Sequence, residues 1–214
     1  MLRELVQIFQ SSIHPPKYGK FGADNKCYFN YDLVANDPGY KVVINRWTSR
    51  IGNYNLKNGV FLDLGSGTSD YLKNSLPREA RIIHADLTPI AVESSDTPLV
   101  CDLRDPLPFP DESINGIHCK DVITHIPQNQ RQKLFDEIRR VSVIDGGGLL
   151  LTSGLISNTI NRFNQAVSVD SIALGLEKSG FRITLLDTWV PQLPTSDWYF
   201  KSQNPMTRFI IQAE

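Results

Sequence analysis

Residues Val60 to Leu72 read VFLDLGSGTSDYL, and the fold of the whole chain turns on this stretch. Val60, Phe61, Leu62 and Leu64 form an apolar run suited to a central parallel strand covered on both faces. Asp63 is the one charge within it. A buried carboxylate is costly unless it is paired, so Asp63 is expected at the end of the strand, in a site. Gly65 and Gly67 allow the backbone to turn sharply and to approach a ligand closely. Thr68 or Ser69 supplies a cap for a helix expected from Thr68 to about Leu76, stopped by Pro77. In an open α/β sheet, ligands bind beyond the carboxyl ends of the strands. Two glycines alone also fit an ordinary strand-to-helix turn, and the residues downstream decide between these.

The next strand is ARIIHAD, ending at Asp86. Asp86 follows the glycines by about 20 residues, the distance at which the second strand of a βαβ unit ends in a carboxylate that accepts hydrogen bonds from ribose hydroxyls. The alternative is an N-cap for a helix starting near Pro89. A short third strand, Leu99 to Cys101, runs into Asp102-Leu103. A carboxylate there, followed by a backbone N–H, matches the exocyclic amine and ring nitrogen of an adenine; the plainer alternative is a loop-capping aspartate. The proline-rich turn RDPLPFPDESING leads to a fourth strand, Ile114 to Cys119.

The 214 residues suit one domain of ordinary size, with 41% hydrophobic and 21% charged residues, as in a soluble globular protein. A net charge of −1 argues against a large non-specific nucleic-acid or membrane footprint. Cys27, Cys101 and Cys119 lack metal-ligand spacing and fit free thiols in a reducing cytoplasm. The first residues, MLRELVQIFQSSIHPP, carry Arg3 and Glu4 and no long apolar run, unlike a signal peptide. No run approaches the ~18 apolar residues of a membrane span.

The ordered set DLGSGTS, HADLTP, CDLRDPLPFPDESINGI and CKDVITHIP resembles the class I S-adenosylmethionine-dependent methyltransferases, most closely the small-molecule branch that includes the ubiquinone and menaquinone C-methyltransferases. The resemblance spans roughly Gly59 to Phe181. It implies a Rossmann-like, doubly wound α/β fold: a seven-stranded sheet, mostly parallel with an antiparallel last strand, helices on both faces. It also implies roles for particular residues. Asp63, Gly65, Ser66 and Gly67 form the loop under the methionine part of S-adenosylmethionine. Asp86 holds the ribose with Leu87 beside the adenine, and Asp102 and Leu103 hold the adenine edge. Cys119 and Lys120 line the methionine moiety through backbone atoms. Two departures stand out: Ser69 replaces a third glycine, and Ile114-Asn115 replaces the usual Phe-Asp before strand four.

Residues 1–58 are expected to form an N-terminal helical cap on a core of residues 59–214. One helix carries Leu2, Leu5, Val6, Ile8 and Phe9, and another covers Tyr40 to about Ile51. Between them lie Tyr18, Phe21, Tyr28, Phe29 and Tyr31. A helix is expected from Gln128 to about Val141, with Leu134, Phe135, Ile138 and Val141 buried and Arg131, Lys133, Arg139 and Arg140 mostly on the solvated face. Gly146-Gly147-Gly148 leads into strand five, LLLTSG. A helix from about Val169 to Ser179, closed by Gly180, strand six (FRITLLDTW) and the last strand (TRFIIQA) complete the core.

Methyl transfer from a sulfonium is a direct displacement, so alignment and desolvation are the protein's main contribution. A general base is required only for a protonated acceptor. His125, just after strand four, is the first candidate and Asp121 the second; the counter-reading for His125 is a helix cap or pocket wall. Tyr18, Tyr28, Trp198 and Tyr199 are candidate walls of the acceptor pocket, where an aromatic face also attracts a sulfonium. No metal is implied. Two other functions fit in part. A nicotinamide-dependent oxidoreductase is disfavoured because Asp70 occupies the third glycine position of GxGxxG, where it would repel a pyrophosphate. A non-catalytic binding module is disfavoured by the retained acids at 63, 86 and 102. The acceptor, the atom methylated and the oligomeric state are not legible.

Overall fold

A computed structural model describes residues 38–51, 53–67, 72–87, 89, 97–144, 146–154, 168–189 and 208–214. The expected helix at residues 2–9 and the aromatics Tyr18, Phe21, Tyr28, Phe29 and Tyr31 lie outside them, as do Cys27, Trp198 and Tyr199.

In chain order the elements are α1 (Pro38–Thr48), α2 (Asn53–Asn58), β1 (Val60–Leu64), β2 (Arg81–Asp86), β3 (Pro98–Val100), β4 (Gly116–Lys120), a single 3-10 turn (Ile123–His125), α3 (Gln128–Val141), β5 (Gly148–Gly154), α4 (Val169–Lys178), β6 (Ile183–Trp189) and β7 (Arg208–Ala213). The strands form one sheet in the order β3-β2-β1-β4-β5-β7-β6. The first five are parallel, and β7 runs antiparallel between β5 and β6. This is the expected topology, with β1 at the centre of the parallel part. Pro38 opens α1, where its missing N–H costs nothing. Gly180 closes α4 in the left-handed region, at φ 91°. Of the helix expected over Thr68 to Leu76, residues 72–76 make a single turn, with Leu76 N donating to Leu72 O at 3.0 Å, and residues 68–71 lie outside the described set.

Alternation along the strands divides the apolar side chains between two cores. Leu62, Leu64, Ile117, Leu149 and Leu151 pack with Leu134, Phe135 and Ile138 of α3 and Leu176 of α4. Phe61 and Leu150 pack on the other face with Val43, Ile44 and Trp47 of α1. Trp47 meets Phe61 edge to face, with centroids 6.3 Å apart and planes at 89°. Gly116 makes that approach possible: a Cβ there would stand 2.6 Å from the Phe61 ring.

Two arginines of α3 depart from expectation. Arg131 is buried and its Nε donates to Ile126 O at 3.0 Å. Arg140 donates to Phe109 O and Leu107 O at 2.9 and 3.0 Å and pairs with Glu137 and Asp111, clamping the proline-rich turn onto the helix. Arg131 precedes Leu134 and Phe135 by three and four positions, so it falls on the buried stripe. Asn115, at the departure noted before strand four, bridges three strands: its Oδ1 accepts from Val60 N at 2.9 Å and its carbonyl from Gly148 N at 3.1 Å. No helix among the described residues is long and apolar enough to cross a membrane.

Trp47→Ala empties the centre of the α1 face, and urea denaturation should show a loss of about 3–5 kcal/mol with the sheet retained.

Candidate functional site

The carboxyl ends of β1, β2, β3 and β4 carry the residues that the sequence singles out. At the end of β1, Gly65 and Gly67 adopt φ 64° and 57°. Gly65 N and Ser66 N donate to Ala85 O of β2 at 2.7 and 3.2 Å, and Gly67 N donates to Asp86 Oδ2 at 3.1 Å. The turn is thereby stitched to the neighbouring strand, and Asp86 is its clasp. A Cβ at position 65 would stand 2.1 Å from Val122 Cγ2, so only glycine fits there. Ser66 is buried, and its hydroxyl donates to Gly67 O at 3.3 Å.

Asp63 lies inside β1 rather than at its end. It stands in register with His84 on β2 and His118 on β4. His118 Nδ1 is 2.6 Å from Asp63 Oδ1, and His84 Nδ1 is 3.6 Å from Oδ2. All three are buried. Burial pushes the Asp63 carboxyl up, but His118 and then His84 outweigh it, and the group is held below the usual carboxylate range. The partners that justify the buried charge are therefore two imidazoles.

Asp86 and Leu87 are half-buried, and Leu103 is buried in the core. Asp102 sits beside them in a tight ion pair with Arg104. Arg104 Nε reaches Asp102 Oδ1 and Oδ2 at 2.8 and 2.9 Å, Nη2 also bonds Oδ2, and Arg104 N donates to Oδ1 at 2.9 Å. This pairing holds the carboxyl of Asp102 below its ordinary range.

At the end of β4, Cys119 is buried in the core, and its thiol is pushed up to about 12 by burial, then by Asp63 and Asp121. It contributes backbone, not a reactive sulfur. The thiol of Cys101 is pushed up to about 11, mainly by burial. The Lys120 side chain is buried, and its Nζ donates to Asp121 Oδ2 at 2.9 Å. Asp121 adopts φ 56°, a strained conformation for a non-glycine residue, while its N donates to Thr152 O at 2.8 Å. His125 ends the 3-10 turn that follows and is exposed. Among the described residues no cluster of His, Cys, Asp and Glu could hold a metal ion.

The structure thus brings Asp63, Gly65, Ser66, Gly67, Asp86, Leu87, Asp102, Leu103, Cys119 and Lys120 to one end of the sheet, with Asp121 and His125 adjoining. Tyr18, Tyr28, Trp198 and Tyr199 lie outside the described residues. Sequence reasoning missed His84, His118 and Arg104. The two histidines left a signal: each interrupts an apolar run, His84 between Ile83 and Ala85 and His118 between Ile117 and Cys119, as Asp63 does between Leu62 and Leu64.

Residues 62–151, from β1 through β5, match the family described as Methyltransferase domain. No curated protein matches the chain. Among solved structures, the [4+2]-cyclase SpnF is similar at 14% identity, covering 99% of this chain and 92% of that one with a TM-score of 0.66. The 1,6-didemethyltoxoflavin-N1-methyltransferase of Burkholderia thailandensis, solved with 1,6-didemethyltoxoflavin and S-adenosylhomocysteine, is 13% identical over 100% of this chain and 89% of its own (TM-score 0.64). The geranyl diphosphate C-methyltransferase of Streptomyces coelicolor A3(2), in complex with Mg2+, geranyl diphosphate and S-adenosyl-L-homocysteine, is 11% identical over 100% and 97% (TM-score 0.64). The fold is therefore the Rossmann-like fold of these structures, and the strands that bear the site lie within the segment that matches the methyltransferase domain family.

Because the folded pKa of Asp63 lies below its unfolded value, its contribution to stability is present above the unfolded pKa, about 4, and is lost as pH falls through the folded one. Calorimetric melting across this acid range should show the native protein losing stability more steeply than Asp63→Asn.

Proposed function

We propose that this chain transfers a methyl group from S-adenosylmethionine to a small-molecule acceptor. The observation that carries the proposal is the clasp between Asp86 and the Gly65-Ser66-Gly67 turn, inside the segment that matches a methyltransferase domain. A carboxylate on β2 and a left-handed glycine turn on β1 form one lip of a cleft.

The residues present fit the cofactor. Gly65 and Gly67, both in the left-handed region, shape the turn at the end of β1. Asp63 Oδ2 is buried and makes no hydrogen bond among the described residues, leaving negative charge beneath the turn for the cationic amino-acid end. Asp63, Gly65, Ser66 and Gly67 would hold the methionine part, together with the backbone of Cys119 and Lys120. Asp86 would hold the ribose, Leu87 would lie beside the adenine, and the backbone N–H of Leu103 would donate to the adenine edge. Asp102 would accept from the adenine amine while shared with Arg104. When bound, S-adenosylmethionine supplies a methyl group already activated on a sulfonium. The chain's own task is to align the acceptor and exclude water.

For an acceptor that carries a proton, His125, exposed at the end of the 3-10 turn, is the first candidate base and Asp121 the second. Tyr18, Tyr28, Trp198 and Tyr199 remain our candidates for the acceptor wall. Support for a small-molecule acceptor, as in the ubiquinone and menaquinone C-methyltransferase-like branch, comes from the near-neutral charge and from similar structures whose bound partners are small molecules. The likeness to a cyclase is a reminder that this fold alone does not dictate methyl transfer.

Calorimetric titration with S-adenosylhomocysteine should give micromolar binding to the native chain. Asp86→Ala should weaken it at least tenfold, about 1.4 kcal/mol or more. Absence of binding to the native chain overturns the proposal.

A further inference from the structure

Two buried histidines, His84 and His118, have no place in the cleft, yet both contact the one carboxylate that lies directly beneath its glycine turn. The row they make crosses three adjacent strands in register and continues on β5 and β7 with Leu150 and Gln212, which carry no charge. The two imidazoles are thus the ionisable partners of Asp63 in this row. His118 takes Oδ1 at 2.6 Å, while Oδ2 makes no hydrogen bond among the described residues and stands 3.6 Å from His84 Nδ1. His118 thus fixes the orientation of the carboxylate through one oxygen, and the other stands opposite His84. Gly65, two residues on, is where the left-handed turn begins.

Burial alone would push this carboxyl up, and it is the largest single influence on it. The histidines reverse that. The negative field is felt at the strand end as well, where Asp63 helps push up the Cys119 thiol.

We infer that His84 and His118 are positioning residues for the amino-acid end of the cofactor, holding the Asp63 carboxylate as an oriented anion that attracts the ligand's ammonium across the glycine turn. The inference rests on the cofactor assignment proposed above. It assigns a function to the row beyond joining strands. A row that only joined strands would disturb every ligand of the cleft alike, whereas a row that orients this anion acts on the ammonium end alone.

The test compares two ligands, S-adenosylhomocysteine and 5′-methylthioadenosine, which keeps the nucleoside and the sulfur but lacks the amino acid. Both are titrated calorimetrically into the native chain, His118→Leu and His118→Asn. His118→Leu should weaken S-adenosylhomocysteine at least tenfold and change methylthioadenosine by less than about twofold. His118→Asn, which keeps a donor near the position of Nδ1, should restore most of the loss. If His118→Leu does not fold, His84→Leu carries the same comparison. Equal weakening of both ligands, or no weakening of S-adenosylhomocysteine, overturns the inference while leaving the cofactor assignment intact. Failure of the native chain to bind either ligand overturns both.

Discussion

The buried charge of Asp63 is the constraint on which the centre of this molecule depends. A carboxylate in the middle strand of a parallel sheet, covered on both faces, is tolerable only if partners meet it there. The partners come from the strands on either side, at the same register position. A shift of β2 or β4 by one residue would carry His84 or His118 to the opposite face and strip the charge of one of its two partners. The requirement to neutralise Asp63 thus favours one alignment of three strands. That alignment sets Asp86 opposite the glycine turn and brings Lys120 level with both.

From this row the site is built outward by backbone groups more than by side chains. The turn is held by three N–H donors to β2, two to Ala85 O and one to the Asp86 carboxylate. The proline-rich turn after β3 is held by Arg140, which satisfies two of its carbonyls from α3. At the end of β4, Asp121 is bent into the left-handed region beside its ion pair with Lys120, a conformation shared by Glu112 in the proline-rich turn. A rigid floor with strained residues at its rim is a common arrangement for ligand sites.

Much of this was legible in the chain. The apolar run and its glycines marked β1 and the turn, and the spacing to Asp86 marked β2. The stripe of Leu134, Phe135, Ile138 and Val141 marked α3, which spans the expected residues. What was not legible follows a pattern. Arg131 looked solvated but is buried, because a helical stripe does not reveal which neighbouring carbonyl a long side chain will reach. The backbone reading of Lys120 gave no sign that its side chain pairs with Asp121. Asp102 was matched to an adenine, and only the folded loop shows that Arg104 grips the same carboxylate.

Local chemistry in the sequence determined the alternation of strands and helices, the sharp turn after β1 and the acids at the ends of β2 and β3. These depend on the periodicity of apolar residues and the freedom of glycine, which act over a few neighbouring positions. Tertiary structure alone decided what Asp63 pairs with, because His84 and His118 reach it only when three strands far apart in the chain align. A charge can be placed in a strand by its neighbours in sequence, but what makes it tolerable there is set by its neighbours in space.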